Sequence, residues 1–285
     1  MVYLGVTLLL IVIAITATVL IVHIGFRAPR RIEHNSPADY GLAYEEISIR
    51  TTADKQLFAW WLPAVEPAPT LIILHGWGGN AGLMLPLALP LHRAGLNIML
   101  LDARNHGRSD SDSYSSLPRF AEDAGAAVNW VKAHSSDPCR RVALLGHSVG
   151  AGAVLFEASR RDDIAAVISI AAFAHPEWMM RRYLARFRVP GFCTSWILRY
   201  VEWVIGHRYN DIAPMNTVCR IQCPILLVHG TADETVPLTD AQAIQNHCPG
   251  KKLELLLIEG GRHDSVEQVE RHGDRLVAFL SRQGL

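Results

Sequence analysis

Ser148 stands between two glycines in Gly146-His147-Ser148-Val149-Gly150, directly after the apolar run Val142–Leu145 and directly before a small-residue stretch that reads as a helix. A serine on a sharp strand-to-helix turn is held in strained backbone geometry with its hydroxyl exposed. Gly146 and Gly150 are expected because strand and helix meet there too closely for a Cβ. A free hydroxyl is a poor nucleophile, so it needs a base, and the base needs an acid to orient it. Candidates for both lie downstream, in loops after later apolar runs. Asp233 follows Ile225–Val228 in His-Gly-Thr-Ala-Asp-Glu-Thr-Val-Pro, and His263 follows Leu253–Ile258 in Gly-Gly-Arg-His-Asp-Ser. The pattern G-x-x-D-x-x-V-P favours Asp233 over its neighbour Glu234. Asp264 lies too close to His263 in sequence to be its partner. His147 is expected to pack beneath the turn, and Asp102 and His106 to brace their loop.

The chemistry also needs donors for a developing oxyanion. The run Leu71–Leu74 leads into His75-Gly76-Trp77-Gly78-Gly79-Asn80, a glycine-rich loop that lets the Trp77 backbone N–H point inward. The Val149 N–H, at a helix N-terminus, supplies the second donor.

These residues require a scaffold that brings three loops to one edge. Short apolar runs at 71–74, 98–101, 142–145, 164–170, 225–228 and 253–258 do not alternate with polar residues, as expected of strands covered on both faces. Helix-like stretches at 81–94, 121–134, 149–161, 238–247 and 266–281 lie between most of them. Upstream, EEISIRT and LFAWWLPA, separated by polar residues, read as an antiparallel hairpin. The sequence therefore predicts a mostly parallel, doubly wound α/β sheet with an antiparallel start, whose ligands bind at the C-terminal strand ends. Between Phe173 and Ile221 roughly fifty residues separate two strands, well beyond an ordinary connection. This segment, about 174–220, reads as a helical cap, with Trp178, Met179 and Trp196 as candidate lining of an apolar substrate pocket.

The motifs HGWGGN, LDARNHGRSD, GHSVG, HGTADETVP and GGRHDS, in this order and each after its own apolar run, resemble those of the α/β-hydrolase superfamily over about residues 45–285. The resemblance leans toward the monoglyceride-lipase and serine-aminopeptidase-like branch. It implies Ser148 as nucleophile, His263 as general base and Asp233 as its orienting acid. The relatives more often carry Arg-Gly-His-Gly where this chain has Arg104-Asn105-His106-Gly107. The activity implied is serine hydrolysis of carboxylic esters, with a small-molecule or lipid acyl substrate and no metal or organic cofactor. Amide or thioester hydrolysis uses the same three residues. A non-catalytic binding module on this scaffold would typically lack one of them, and all three are present.

Composition sets the remaining bounds. The 285 residues carry zero formal net charge, which excludes a general electrostatic pull toward nucleic acid. From Val2 to Val22 the chain is apolar and uncharged, long enough for a membrane-crossing helix and too long for a signal-peptide core. Residues 1–26 are thus expected to be a transmembrane anchor and 27–44 a linker to the body at 45–285. Arg27, Arg30 and Arg31 place the body on the cytoplasmic side. Five irregularly spaced cysteines agree with a reducing compartment, and Cys219 with Cys223 lacks the second pair a zinc site requires.

Overall fold

The computed structural model describes residues 2–135, 141–251 and 253–285. Eight strands form one sheet: β1 (Glu45–Thr51), β2 (Lys55–Leu62), β3 (Thr70–Leu74), β4 (Asn97–Leu101), β5 (Val142–His147), β6 (Ala166–Ile170), β7 (Ile225–Gly230) and β8 (Leu253–Ile258), in the spatial order β1-β2-β4-β3-β5-β6-β7-β8. β1 and β2 form the antiparallel hairpin and β2 also runs antiparallel to β4, while the pairs from β4 through β8 are parallel. The expected α/β architecture is what the chain adopts.

The unbroken apolar runs have the expected cause. Every residue of β3 through β7 is buried. Alternate side chains feed two cores, since successive strand residues point to opposite faces. Ile72, Leu74, Met99, Leu101 and Leu144 join one core with α3 (Leu117–His134), α4 (Val149–Ala158) and α9 (Leu238–His247). Leu71, Ile73, Ile98, Leu100 and Leu145 join the other, with α2 (Leu85–Arg93), α10 (Val266–Glu270) and α11 (Gly273–Ser281). β8 is the sheet edge and is only partly covered.

Helix boundaries differ from expectation where local chemistry intervenes. α3 starts earlier than periodicity indicated, because Ser116 caps it, accepting from the Arg119 N–H, and Pro118 suits its first turn. The stretch 266–281 breaks at His272–Gly273, and a Cβ on Gly273 would lie 2.7 Å from Pro90, so glycine lets α11 close on α2. Between β6 and β7 the cap forms as expected: α5 (Pro176–Arg186), α6 (Gly191–Ile205), α7 (Tyr209–Ile212) and α8 (Pro214–Thr217). Arg182 clamps α5 to α9 through a two-bond pair with buried Asp240 (2.7 and 3.0 Å), whose carboxylate also accepts from the Ala174 N–H.

The N-terminal helix α1 (Val2–Gly25) is long and apolar enough to cross a membrane, with a mean hydropathy of 2.8 over its most apolar window. The segment after it does not hang free. Arg30 donates to the Gly107 and Ser109 carbonyls (2.7 and 2.6 Å), the Ser115 N–H to the Phe26 carbonyl, and the Asn80 amide to the Arg31 carbonyl. The cysteine reading is corrected: Cys219 is joined to Cys248, Cα–Cα 5.6 Å, because α8 and α9 pack together. A disulfide does not fit the reducing compartment that the cysteine count suggested.

Candidate active site

Ser148 links β5 to α4 with φ 55° and ψ −116°, a positive-φ conformation that costs a non-glycine residue on the order of 1–3 kcal/mol. The surroundings enforce it. The Ser148 N–H donates to the Ile170 carbonyl of β6 (2.8 Å), and its carbonyl accepts from the Gly152 N–H. A Cβ on Gly146 would fall on the Gly150 carbonyl, and one on Gly150 on the Leu74 and His75 carbonyls at the end of β3. The first glycine admits the helix, and the second admits the neighbouring strand.

His263 sits in the loop after β8. Its Nε2 lies 2.8 Å from Ser148 Oγ and its Nδ1 2.8 Å from Asp233 Oδ2. A neutral ring with its proton on Nδ1 donates to the carboxylate and presents a lone pair to the serine hydroxyl. Asp233 is buried, which works against its charge. The His263 bond and the backbone N–H of Val236 outweigh that burial and hold the carboxyl below its usual range. Its Oδ1 accepts from the N–H groups of Thr235 and Val236 (2.9 and 2.8 Å), so the turn itself aims Oδ2 at the imidazole. A Cβ on Gly230 would collide with the Gly261 carbonyl, so glycine lets the two loops meet.

His147, expected from the sequence to pack beneath the turn, and His75 brace these groups. His147 Nε2 donates to the His263 carbonyl (2.8 Å), tying the turn under Ser148 to the imidazole's own backbone. Burial, then the His263 ring, lowers the His147 pKa and keeps it neutral. His75 accepts from the Ala103 N–H at Nε2, so its Nδ1 carries the proton and donates to the Gly76 carbonyl (2.7 Å). Burial pushes its pKa down to about 3, and that tautomer holds the glycine-rich loop. A Cβ on Gly76 would lie 3.1 Å from the Ser148 Cβ, which puts the loop against the serine. Val149 opens α4, so its N–H has no intrahelical acceptor. Among the described residues neither its N–H nor that of Trp77 donates to another backbone group outside regular elements.

Asp102 braces the same loop from below, accepting from the Ala81 and Arg108 N–H groups (2.7 and 2.8 Å). Asn105, the departure from Arg-Gly-His-Gly, occupies φ 68°, where asparagine is among the few side chains tolerated. Its amide also bonds Ser115 Oγ and the Asp112 N–H, contacts no glycine makes.

Trp178, Met179 and Trp196 do not gather at Ser148 in any described contact. Trp178 stacks on His175 and Met179 packs on the core, while Trp196 stacks on Tyr200 along the outer face of α6. Periodicity could not assign Trp196, because α6 carries apolar residues on both faces. Of the metal readings, Cys219 is in the disulfide and burial raises the Cys223 thiol to about 11. His147, His263 and Asp264 lie close together, but His263 commits both ring nitrogens to Asp233 and Ser148.

Residues 65–219 match the family described as serine aminopeptidase, S33. The chain is similar to the Escherichia coli K12 protein YfhR, 28% identical over 247 residues, 83% of this chain and 80% of that protein. It is also similar to the Saccharomyces cerevisiae membrane protein YNL320W, 21% identical over 88% of this chain and 84% of that one. Among solved structures it superposes on the Pyrococcus furiosus esterase Pf2001 with a TM-score of 0.75, at 23% identity, covering 91% of this chain and 98% of that one. Est1E from Butyrivibrio proteoclasticus gives 0.66 at 22% identity, with 83% and 98% covered. With its α/β-hydrolase fold, this hydrolase chain belongs to the serine aminopeptidase S33 family.

Proposed function

We propose that the protein is a serine hydrolase that cleaves carboxylic esters through an acyl-enzyme. The observation that carries this reading is the pair of 2.8 Å contacts from His263 to Ser148 and to Asp233, on a serine held at φ 55°. Ser148 Oγ attacks the ester carbonyl as its proton passes to His263 Nε2. Asp233 stabilises the imidazolium that forms. The tetrahedral oxyanion is held by the N–H groups of Trp77 and Val149, and losing one such donor typically costs about 10²–10³ in kcat. The tetrahedral intermediate collapses as His263 protonates the leaving alkoxide. A water then attacks the acyl-Ser148 ester, His263 takes its proton, and the acid and free serine are released. No metal or organic cofactor enters these steps.

In the same reading residues 1–26 anchor the protein in a membrane, 27–44 join the anchor to the body at 45–285, and the cap at about 174–220 covers the acyl site. The substrate is an acyl ester of lipid type. That the structurally similar Pf2001 is an esterase favours esters. The description of the family itself favours a second reading, cleavage of aminoacyl amides.

A fluorophosphonate probe should label the wild type and leave Ser148→Ala unlabelled. A folded wild type that neither takes the probe nor cleaves any of a panel of p-nitrophenyl esters, monoacylglycerols and aminoacyl amides would overturn the proposal. Faster turnover of aminoacyl amides than of every ester would select the second reading.

A further inference from the structure

The end of α1 and the outer face of α6 are in direct contact. His23 Nε2 lies 2.8 Å from the Tyr200 hydroxyl, and Val22, His23 and Phe26 close a crevice with Tyr114, Val201 and Ile205. The apolar span of α1, 23 residues, is about 35 Å long at 1.5 Å per residue, slightly more than a hydrocarbon layer of about 30 Å. His23 is the first ionisable residue after its uninterrupted apolar run. If α1 spans a bilayer, His23 therefore sits at one interface, and Tyr200 sits at the same depth.

Tyr200 is the centre of an aromatic column. Trp196 stacks on it in parallel at 5.7 Å, and Trp203 stacks on its other side at 5.8 Å. The spacing i, i+4, i+7 puts all three on one stripe of α6. The opposite stripe, Ile197, Leu198, Val201 and Ile205, is buried in the body. The helix is thus apolar on both sides, with the body covering one and, among the described contacts, His23 of α1 touching the other at Tyr200. Trp203 is 77% exposed and Phe192, at the start of α6, is 80% exposed. Arg199 flanks this stripe on α6, and Arg186 and Arg188 precede the helix; all three are exposed with no carboxylate partner among the described residues. Tryptophan, tyrosine and unpaired arginine are the side chains that favour the headgroup region, where rings meet the acyl boundary and guanidinium groups meet phosphates. Thr18, Val19, Val22 and His23 are partly covered while their α1 neighbours Leu20 and Ile21 are exposed. The body therefore reaches about 8 Å along the helix, the depth at which interfacial elements lie.

We propose that the outer face of α6, with the column Trp196–Tyr200–Trp203 and Phe192, is embedded in the headgroup region of the bilayer that α1 crosses. Phe26 also meets the Trp77 ring edge-on (6.3 Å), so the loop proposed to bind the oxyanion adjoins the point where α1 leaves the lipid. Resting on the hydrolase reading, this geometry supplies the site with acyl esters that reside in the membrane.

The test uses the full-length chain in vesicles of phosphatidylcholine and phosphatidylglycerol. The three cysteines outside the disulfide are replaced by serine. Spin labels are then attached through Phe192→Cys, Trp203→Cys and, on the distant β1–β2 hairpin, Asp54→Cys. The ratio of oxygen to nickel-chelate accessibility should be several-fold higher at 192 and 203 than at 54. As a readout on the native cysteines, brominated phosphatidylcholine should quench the wild-type tryptophan emission more than that of Trp203→Phe. Equal accessibility at 203 and 54, or quenching unchanged in Trp203→Phe, overturns the proposal whatever the enzyme cleaves. Failure of fluorophosphonate labelling with the depth profile intact overturns the hydrolase reading and leaves this surface standing.

Discussion

The carboxyl groups of Glu33 and Asp102 face each other in the buried seam between the segment after α1 and the loop that follows β4. Asp102 already accepts two backbone N–H bonds, from Ala81 and Arg108, and both Glu33 oxygens are buried without a donor. The Arg108 guanidinium nearby is paired to Glu46. Burial first, and the Glu33 carboxyl second, raise the Asp102 pKa well above its usual range. A proton kept on Asp102 removes one of two like charges in this seam. The pair ties the segment after α1 to the loop that carries Trp77.

A pH dependence of stability follows. The folded protein keeps a proton on Asp102 that the unfolded chain releases near pH 4, so this contribution is full below that pH and is lost as pH rises through the raised folded value. In Glu33→Gln the amide donates to an ionised Asp102 and removes the like charge. Thermal unfolding of the detergent-solubilised full chain should show Tm falling less between pH 5 and 8 in Glu33→Gln than in the wild type. At pH 8 the variant should be more stable by about 1.5–3 kcal/mol, the worth of a hydrogen bond to a charged group. Parallel Tm-against-pH curves would contradict a proton kept on Asp102 through Glu33.

Asp233→Asn should cut kcat on a good ester by about 10³–10⁴-fold with little change in KM, because an amide no longer selects the Nδ1–H tautomer of His263. The loss should be expressed in kcat and in the rate of fluorophosphonate labelling, while the denaturation midpoint stays near wild type. A labelling rate equal to wild type would remove Asp233 from the mechanism.

His147 acts through the backbone of His263. His147→Ala leaves that carbonyl without its donor, and a small displacement of the imidazole is expected to lower kcat by on the order of 10²-fold. KM should be unchanged. His147→Gln, whose amide N–H reaches toward the same carbonyl, should recover most of the rate. A purely structural role would show instead as equal loss of folded protein in both variants.

Asn105 sits at φ 68°, so Asn105→Ala should destabilise by about 1–2 kcal/mol, the left-handed cost for a residue with a Cβ, before its two side-chain hydrogen bonds are counted. Asn105→Gly removes the strain but loses the bonds to Ser115 and Asp112. Urea midpoints should rank wild type above glycine and glycine above alanine. Alanine equal to glycine would mean that the backbone conformation carries no cost.

The elements were legible because their causes are local. Unbroken apolar runs read as covered strands, and β3 through β7 are buried residue by residue. Gly146 and Gly150 marked a close approach before any partner was known, although only the fold shows that Gly150 faces the carbonyls ending β3. The order Ser148, Asp233, His263 was likewise readable from loops placed after successive strands. The break at His272–Gly273 was not, since it depends on Pro90 of a distant helix.

By itself, then, the sequence determined the strands, the helical insertion, the apolar span of α1 and the three residues that could do chemistry, because periodicity and tight turns act over a few neighbouring residues. Tertiary structure decided which groups hold those residues in place. The His147 bond to His263 joins positions 116 apart, and Cys219 meets Cys248 across 29 residues. It also decided which side of α6 is covered. With apolar residues on two opposite faces of the helix, only the packing of Ile197, Leu198, Val201 and Ile205 onto the body leaves Trp196 and Trp203 facing outward, beside the end of α1. Such contacts depend on the paths of long connections, which the residues at either end do not encode.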